Sequence, residues 1–267
     1  MLIHCPAIPL GPGREQQPKQ QYKMQNYCKT IGALAAVSAL VAGNAMAEVE
    51  YELHTGYSNE YLFRGLNLGQ DLIEVGADVK AELNGFGLSA GAWYGNVQNA
   101  QITGPNNISF DELDLYAAAS RDFGFVTGSV GYIYRQYSND MDSIVSLFDD
   151  EQEVYFSLSR QFYGIDTSLT YYWDIETDNN GYSELALNKA WELSGCVTLN
   201  TGGNVGYLVE QGDFTAITLK TSLDWGFAGT AKLSPFMAYS ISLCDANDFY
   251  TNAKNQFVGG VMLSVGF

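Results

Sequence analysis

Residues 73–83 read Ile-Glu-Val-Gly-Ala-Asp-Val-Lys-Ala-Glu-Leu, with an apolar side chain at every odd-numbered position. Because successive side chains of a β-strand point to opposite faces, this stretch predicts a strand with one apolar and one charged face. Residues 113–119, 126–134 and 257–267 repeat the alternation. Twelve such segments are predicted, and they start near residues 48, 72, 86, 110, 125, 151, 165, 182, 195, 214, 229 and 256.

The connections between these segments are predicted to alternate in length. The short ones lie at 84–85, 121–124, 161–164 and 225–227, and the long polar ones at 57–71, 97–109, 138–150, 203–213 and 243–255. Tight periplasmic turns and long external loops are typical of a transmembrane β-barrel. A soluble sandwich or soluble barrel, the alternative, does not sort its loops by side. We therefore predict a single antiparallel all-β transmembrane barrel of about twelve strands.

The first 47 residues are predicted to be a leader. Residues 1–23 hold four of the six prolines and are interpreted as an upstream extension. Residues 24–47 resemble a bacterial export signal, with Lys29, an apolar run at 31–42 and a small-residue cleavage site ending at Ala47. That run would rise about 18 Å as a helix, too short for a hydrocarbon core of about 30 Å, which argues against a membrane anchor. Residues 48–267 are then the outer-membrane barrel.

Charge and composition narrow the function classes. Thirteen Lys and Arg stand against 30 Asp and Glu, a net charge of −17, which argues against a nucleic-acid partner. Two His and four Cys are too few and too scattered for a zinc or disulfide framework, so no metal or cofactor is expected. The strand order places Cys196 and Cys244 at opposite ends of the barrel, so no disulfide is predicted.

The polar faces of the strands are predicted to enclose a lumen. Twelve strands give a backbone diameter of about 24 Å, which leaves an opening of about 6–10 Å if nothing plugs it. The predicted lumen residues are the acids Glu74, Asp78, Glu82, Glu112, Asp114, Glu153 and Glu184 and the bases Arg64, Lys80, Arg135 and Lys220. Such an acidic pore favours cations or neutral solutes. Alternatively, these charges form neutralising pairs in a plugged barrel.

Two further features fit an outer-membrane barrel. Aromatic residues cluster near both ends of the predicted strands, with Trp93 and Tyr137 among those near the long loops, and suggest two interfacial girdles. Unbroken alternation up to the terminal phenylalanine resembles the signal by which such barrels are recognised for assembly. Its residues are Val261, Leu263, Val265 and Phe267. The expected partners are outer-membrane lipid, lipopolysaccharide and the barrel assembly machinery, with small solutes and a homo-oligomer as further candidates.

The stretch Tyr-Leu-Phe-Arg-Gly-Leu at 61–66 resembles the tyrosine–arginine–glycine element that follows the first strand in the Gcw_chp family. The stretch Ala-Gly-Ala-Trp-Tyr-Gly-Asn at 90–96 is also similar to that family. The resemblance implies an uncharacterised bacterial outer-membrane barrel. It supplies no catalytic residues.

The sequence gives little support for an enzyme. His54 is the only histidine after the leader, and no serine stands beside it to form a nucleophilic pair. We predict no catalytic activity. The leading function is porin-like passive diffusion of small cationic or neutral solutes, and the alternative is a closed structural or surface-interaction barrel.

Overall fold

The structure is a computed structural model that describes residues 49–100, 108–139, 150–176, 181–243 and 254–267. Its twelve strands are β1 Val49–Phe63, β2 Leu66–Leu83, β3 Phe86–Ala100, β4 Ile108–Asp122, β5 Thr127–Asn139, β6 Glu151–Phe162, β7 Ile165–Asp174, β8 Tyr182–Ser194, β9 Val197–Leu208, β10 Asp213–Ala228, β11 Ala231–Ser242 and β12 Gln256–Gly266. Each pairs antiparallel with its sequence neighbours, and β1 pairs with β12 to close the barrel. The predicted all-β barrel of twelve strands is confirmed. No helix among the described residues is long and apolar enough to cross a membrane.

The alternation in sequence becomes two faces of the wall. On β2, Ile73 and Val75 are 58% and 52% exposed on the outer surface, whereas Glu74 and Asp78 point into the barrel and bond to other inward side chains. Large apolar side chains on the other strands are exposed in the same way, among them Leu53, Val130, Phe156, Leu158, Leu169, Leu187, Leu219, Met237 and Phe257. An outward apolar belt around a polar interior is the arrangement of a membrane barrel.

The two ends of the barrel differ in their connections. The end that holds Val49 and Phe267 also holds the tight turns at 84–85, 123–126, 163–164, 195–196 and 229–230, and we call it the termini end. The opposite end, the loop end, holds the connections 64–65, 101–107, 140–150, 175–181, 209–212 and 243–255. The free thiol of Cys196 is exposed in a termini-end turn, and Cys244 lies outside the described residues.

Three predicted connections are wrong. The predicted long loop at 57–71 is the end of β1, a two-residue turn and the start of β2, and the predicted loop at 203–213 shrinks to 209–212. The predicted turn at 225–227 lies inside β10, which continues to Ala228 through an irregularity in its pairing with β11. In each case glycine favours a loop locally, with polar residues beside it at 57–71 and 203–213, yet the backbone pairs with a neighbouring strand.

The barrel closes at the terminal strand. The backbone N–H of Phe267 donates to the Tyr51 carbonyl at 2.9 Å, and the N–H of Tyr51 donates back at 3.3 Å. Val261, Leu263 and Phe267 are exposed on the outer face, and Val265 lies in phase with them on β12. The positions of these four residues do not test their role as an assembly signal, which remains a prediction.

Candidate functional site: a constriction inside the barrel

The β1–β2 hairpin leaves the barrel wall before it ends. Strand β1 pairs with β12 only over Glu52–Ser58, and the pairing of β2 with β3 becomes irregular between Gln70 and Ile73. Beyond those points the two strands continue to pair with each other as far as Phe63 and Leu66. Residues 59–69, here called the inward hairpin, therefore extend from the wall as a two-stranded ribbon.

The tip of the inward hairpin lies against the opposite wall. Arg64 and Gly65 form its turn with φ angles of 51° and 87°, a pair of positive values found in type I′ turns. A Cβ atom added to Gly65 would lie 2.6 Å from the Cβ of Ala216 on β10, which is three strands from β1 around the barrel. The hairpin tip thus reaches across the lumen, and the predicted open cylinder is narrowed at this level.

A close fit at the tip leads to a testable result for Gly65→Ala. The added methyl group would clash with Ala216, so we expect the hairpin to lose contact with β10 and the ion conductance of the barrel in a planar bilayer to rise. Gly85→Ala is the matched control, because that turn glycine has a φ of 78° and nothing within 4 Å of an added Cβ. Both variants carry about 1 kcal/mol of backbone strain or more, and only Gly65→Ala carries the clash. Equal single-channel conductance of the two variants would contradict the contact.

Apolar side chains pack the base of the inward hairpin onto the inner wall. Leu68 and Leu72 are buried with Val97, Ala100 and Phe110, which belong to β3 and β4. Partly buried side chains surround this cluster, namely Tyr61, Phe63, Leu66, Trp93 and Tyr137. Full burial of a leucine contributes about 1.5–3 kcal/mol, so this packing favours the docked position of the hairpin. Trp93 and Tyr137 are consequently interior residues, and their predicted place in the outer aromatic girdle is wrong.

Charged residues fix the tip in place. The two terminal nitrogens of Arg64 donate to the two carboxylate oxygens of Glu153 on β6 at 2.6 and 2.7 Å. Arg135 on β5 donates to the same carboxylate at 2.8 Å and lies 3.3 Å from Glu151 and 3.4 Å from Asp114. Arg135 and Glu153 are only 3% and 4% exposed. Bidentate pairing in such a site is among the stronger hydrogen-bonding arrangements in proteins.

Aromatic rings complete the surroundings of Arg64. Its guanidinium carbon lies 4.5 Å from the centre of the Tyr172 ring on β7 and 4.6 Å from that of Tyr182 on β8. The ring of Phe63 lies 4.8 Å from the Arg64 guanidinium and 4.9 Å from that of Arg135. Tyr155, on β6, extends the row of rings at 5.7 Å from Tyr172. Each cation–π contact adds about 0.5–2 kcal/mol, depending on desolvation.

Four other predicted lumen residues, all on the inward faces of their strands, bond to neighbours. Glu74 accepts from the indole of Trp93 at 2.6 Å, and Asp78 accepts from the Tyr116 hydroxyl at 2.6 Å. Glu184 accepts from Asn204 at 2.7 Å. Lys220 places its ammonium 4.7 Å from the Phe236 ring. His54 faces the lumen with its Nδ1 3.4 Å from Asp78.

The remaining predicted residues lie at two levels. Lys80 and Glu82 line a cavity of about 820 Å³ at the termini end, together with Glu50, Asn84, Ser89 and Ser120. Glu112 is 1% exposed and lies on the same face of β4 as Asp114. The structure thus places Arg64, Asp114, Arg135 and Glu153 in one cluster and distributes the others along the lumen.

Sequence reasoning missed three members of the constriction. Glu151 ends an acidic run that also holds Asp140, Asp142, Asp149 and Asp150, a composition that predicts a solvated loop surface, but Glu151 begins β6 and contacts Arg135. Of the other acids of that run, Asp140, Asp142 and Asp149 lie outside the described residues, and Asp150 accepts a hydrogen bond from the Tyr134 hydroxyl at 2.9 Å. Tyr172 and Tyr182 were not singled out, although each falls in the inward phase of its strand, which is the one signal that indicates a lumen position.

The barrel resembles solved outer-membrane channels. It is similar to the crystal structure of an outer membrane channel from Pseudomonas putida F1, with a TM-score of 0.54, 9% sequence identity, and coverage of 84% of this chain and 97% of that one. It is also similar to the KdgM porin, with a TM-score of 0.50, 10% identity, and coverage of 82% and 99%. No family model and no curated protein matches the chain. The fold is therefore that of an outer-membrane β-barrel of the porin type.

Proposed function

We propose that the chain is an outer-membrane channel for passive diffusion of small cationic or neutral solutes, narrowed by the inward hairpin. The observation that carries the proposal is the contrast between an apolar outer belt and an interior lined by ionisable side chains. Charged side chains inside a barrel interact with the ions and solutes of a water-filled path. In a closed structural barrel the same charges would add little to stability. Lipid and lipopolysaccharide around the belt are the partners that this placement implies, and the Gcw_chp resemblance remains part of the proposal.

The charge balance supports cations over anions. Seven acids and four bases make up the predicted lumen set, and the structure adds Glu151 beside Arg135. At the constriction the two arginines are compensated by Glu153, Glu151 and Asp114. The termini-end cavity holds Glu50 and Glu82 against Lys80 alone among its lining residues. A narrow acidic entrance raises the local concentration of cations.

Reversal potentials across a planar bilayer test the selectivity. With a salt gradient we expect a preference for K⁺ over Cl⁻, and the double variant Glu50→Gln/Glu82→Gln is expected to weaken it. One charge acting over about 6 Å in water is worth about 0.7 kcal/mol, with opposite sign for a cation and an anion, so each substitution should lower the cation-to-anion ratio about tenfold. The variant Ser89→Ala at the same cavity is the uncharged control. Anion preference in the wild-type protein would contradict the proposal.

A second candidate function is a closed barrel with a structural or surface-interaction role. The tip of the inward hairpin touches β10 and binds β6, so the hairpin spans the lumen from one wall to the other. Single-channel recording separates the two functions. Stable openings support the channel, and electrical silence of protein shown to be inserted in the bilayer supports the closed barrel.

A further inference from the structure

The wall of the barrel contains a socket for a guanidinium group. Glu153 on β6, Tyr172 on β7 and Tyr182 on β8 form this guanidinium socket, and the group that fills it belongs to the hairpin tip. Arg64 and Glu153 are 89 residues apart in sequence, and no strand pairing joins β1 or β2 to β6, β7 or β8. The socket and its occupant are therefore on separate elements.

The occupant stands at an unfavourable turn position. The first residue of a type I′ turn favours asparagine or glycine, and the β2–β3 turn has Asn84 there with a φ of 53°. Arg64 adopts a φ of 51° at the equivalent position of its own turn. An arginine gains nothing locally from that backbone conformation. Its presence is explained by the contacts that the guanidinium makes at the far wall.

The chemistry of the guanidinium socket selects a planar cation. Both oxygens of Glu153 accept from Arg64 in parallel, a geometry that a guanidinium satisfies and an ammonium does not. The two tyrosine rings lie at 4.5 and 4.6 Å from the guanidinium carbon, within the range of cation–π contacts. Arg135 bonds to only one of these oxygens, Oε2, so it leaves Oε1 to Arg64.

We propose that the guanidinium socket also binds small guanidinium-bearing solutes, which displace Arg64 and so bind preferentially when the inward hairpin is lifted. This inference rests on the proposed channel function for its physiological role, but the binding itself requires only the folded barrel. A ligand that competes with Arg64 shifts the hairpin toward its undocked position, because the two cannot occupy the socket together. The tethered Arg64 acts as a competitor at an effective concentration in the millimolar range.

Calorimetric titration of the purified barrel in detergent tests the socket without any current measurement. The probe is methylguanidinium chloride, and methylammonium chloride is the control cation of equal charge. Removal of the internal competitor in Arg64→Asn should tighten methylguanidinium binding about tenfold or more relative to the wild type, and methylammonium should bind more weakly. Asparagine suits the turn, so folding is expected to be kept. Arg64→Gly serves as a second variant of equal purpose.

The double variant Arg64→Asn/Glu153→Gln should lose the gain in binding, because the bidentate acceptor is gone. The proposal is overturned if Arg64→Asn and Arg64→Gly bind methylguanidinium no better than the wild type does. It is also overturned if methylammonium binds equally well or if the double variant binds as tightly as Arg64→Asn. A barrel that binds methylguanidinium but carries no current would refute the channel and keep the socket, so the two failures are distinguishable.

Discussion

Replacement of Glu153 by glutamine is expected to release the inward hairpin and to raise the single-channel conductance. The Glu153 carboxylate compensates both Arg64 and Arg135, whose guanidinium groups both donate to its Oε2 and both lie near the Phe63 ring. A neutral side chain leaves the two cations to repel each other across a buried site. Removal of one partner from a buried ion pair costs about 3–5 kcal/mol, and here the hairpin can relieve most of that cost by leaving the site.

The matched control is Asp224→Asn. That change also removes one negative charge from an ion pair, here with Lys232 at 3.3 Å, but between β10 and β11 at the termini end and far from the hairpin. Its pair is partly exposed, so a loss of about 0–1 kcal/mol and an unchanged conductance are expected. If Glu153→Gln and Asp224→Asn leave conductance equally unaffected, Glu153 does not hold the hairpin.

Replacement of Arg64 by asparagine is expected to have the second largest effect. The strain of the turn is present in the docked and the undocked hairpin alike, so it cancels, and the change in docking reflects the lost contacts. Loss of the bidentate bond to Glu153 weakens docking by about 2–3 kcal/mol. The undocked population should then rise about 30–150-fold, which bilayer recording would detect as more frequent steps to a larger conductance.

Arg64→Lys gives an internal check, because it keeps the charge and loses the paired geometry. Its undocked population should lie between those of the wild type and Arg64→Asn. The two positions also form a double-mutant cycle, since the residues share one interaction. Arg64→Asn/Glu153→Gln should open no more often than Glu153→Gln alone, and strict additivity of the two effects would contradict a direct pair.

The wall of the barrel was predictable because its signal is local. Alternation such as that of residues 73–83 sets both the strand and the face of each side chain, which is why the predicted inward positions Glu74 and Asp78 face the lumen. The even number of strands followed from the same pattern. Unbroken alternation also placed the last strand, β12, which closes the barrel with β1.

The constriction was not predictable from the same signal. Residues 57–71 contain glycine and polar residues among Leu62, Phe63 and Leu68, so the period of two is lost and a loop is favoured. The contact between Arg64 and Glu153 joins the tip of the β1–β2 hairpin to β6 on the far wall. No local sequence pattern predicts such a contact. Burial of Leu68 against Val97 depends on the hairpin having already turned inward. A resemblance motif marked Arg64, but only the tertiary structure gave it a partner.

The inward course of the β1–β2 turn also decides what the barrel displays to its surroundings. The tip at Arg64 and Gly65 is engaged by the inner wall, so an epitope inserted there would be hidden from antibodies and would disrupt the interior. The β9–β10 connection at 209–212 is instead a short loop-end turn. Its residues, among them Glu210 and Gln211, are exposed to solvent. An antibody that reaches the loop end should therefore bind a tag inserted at 209–212 and fail to bind the same tag inserted at the hairpin tip.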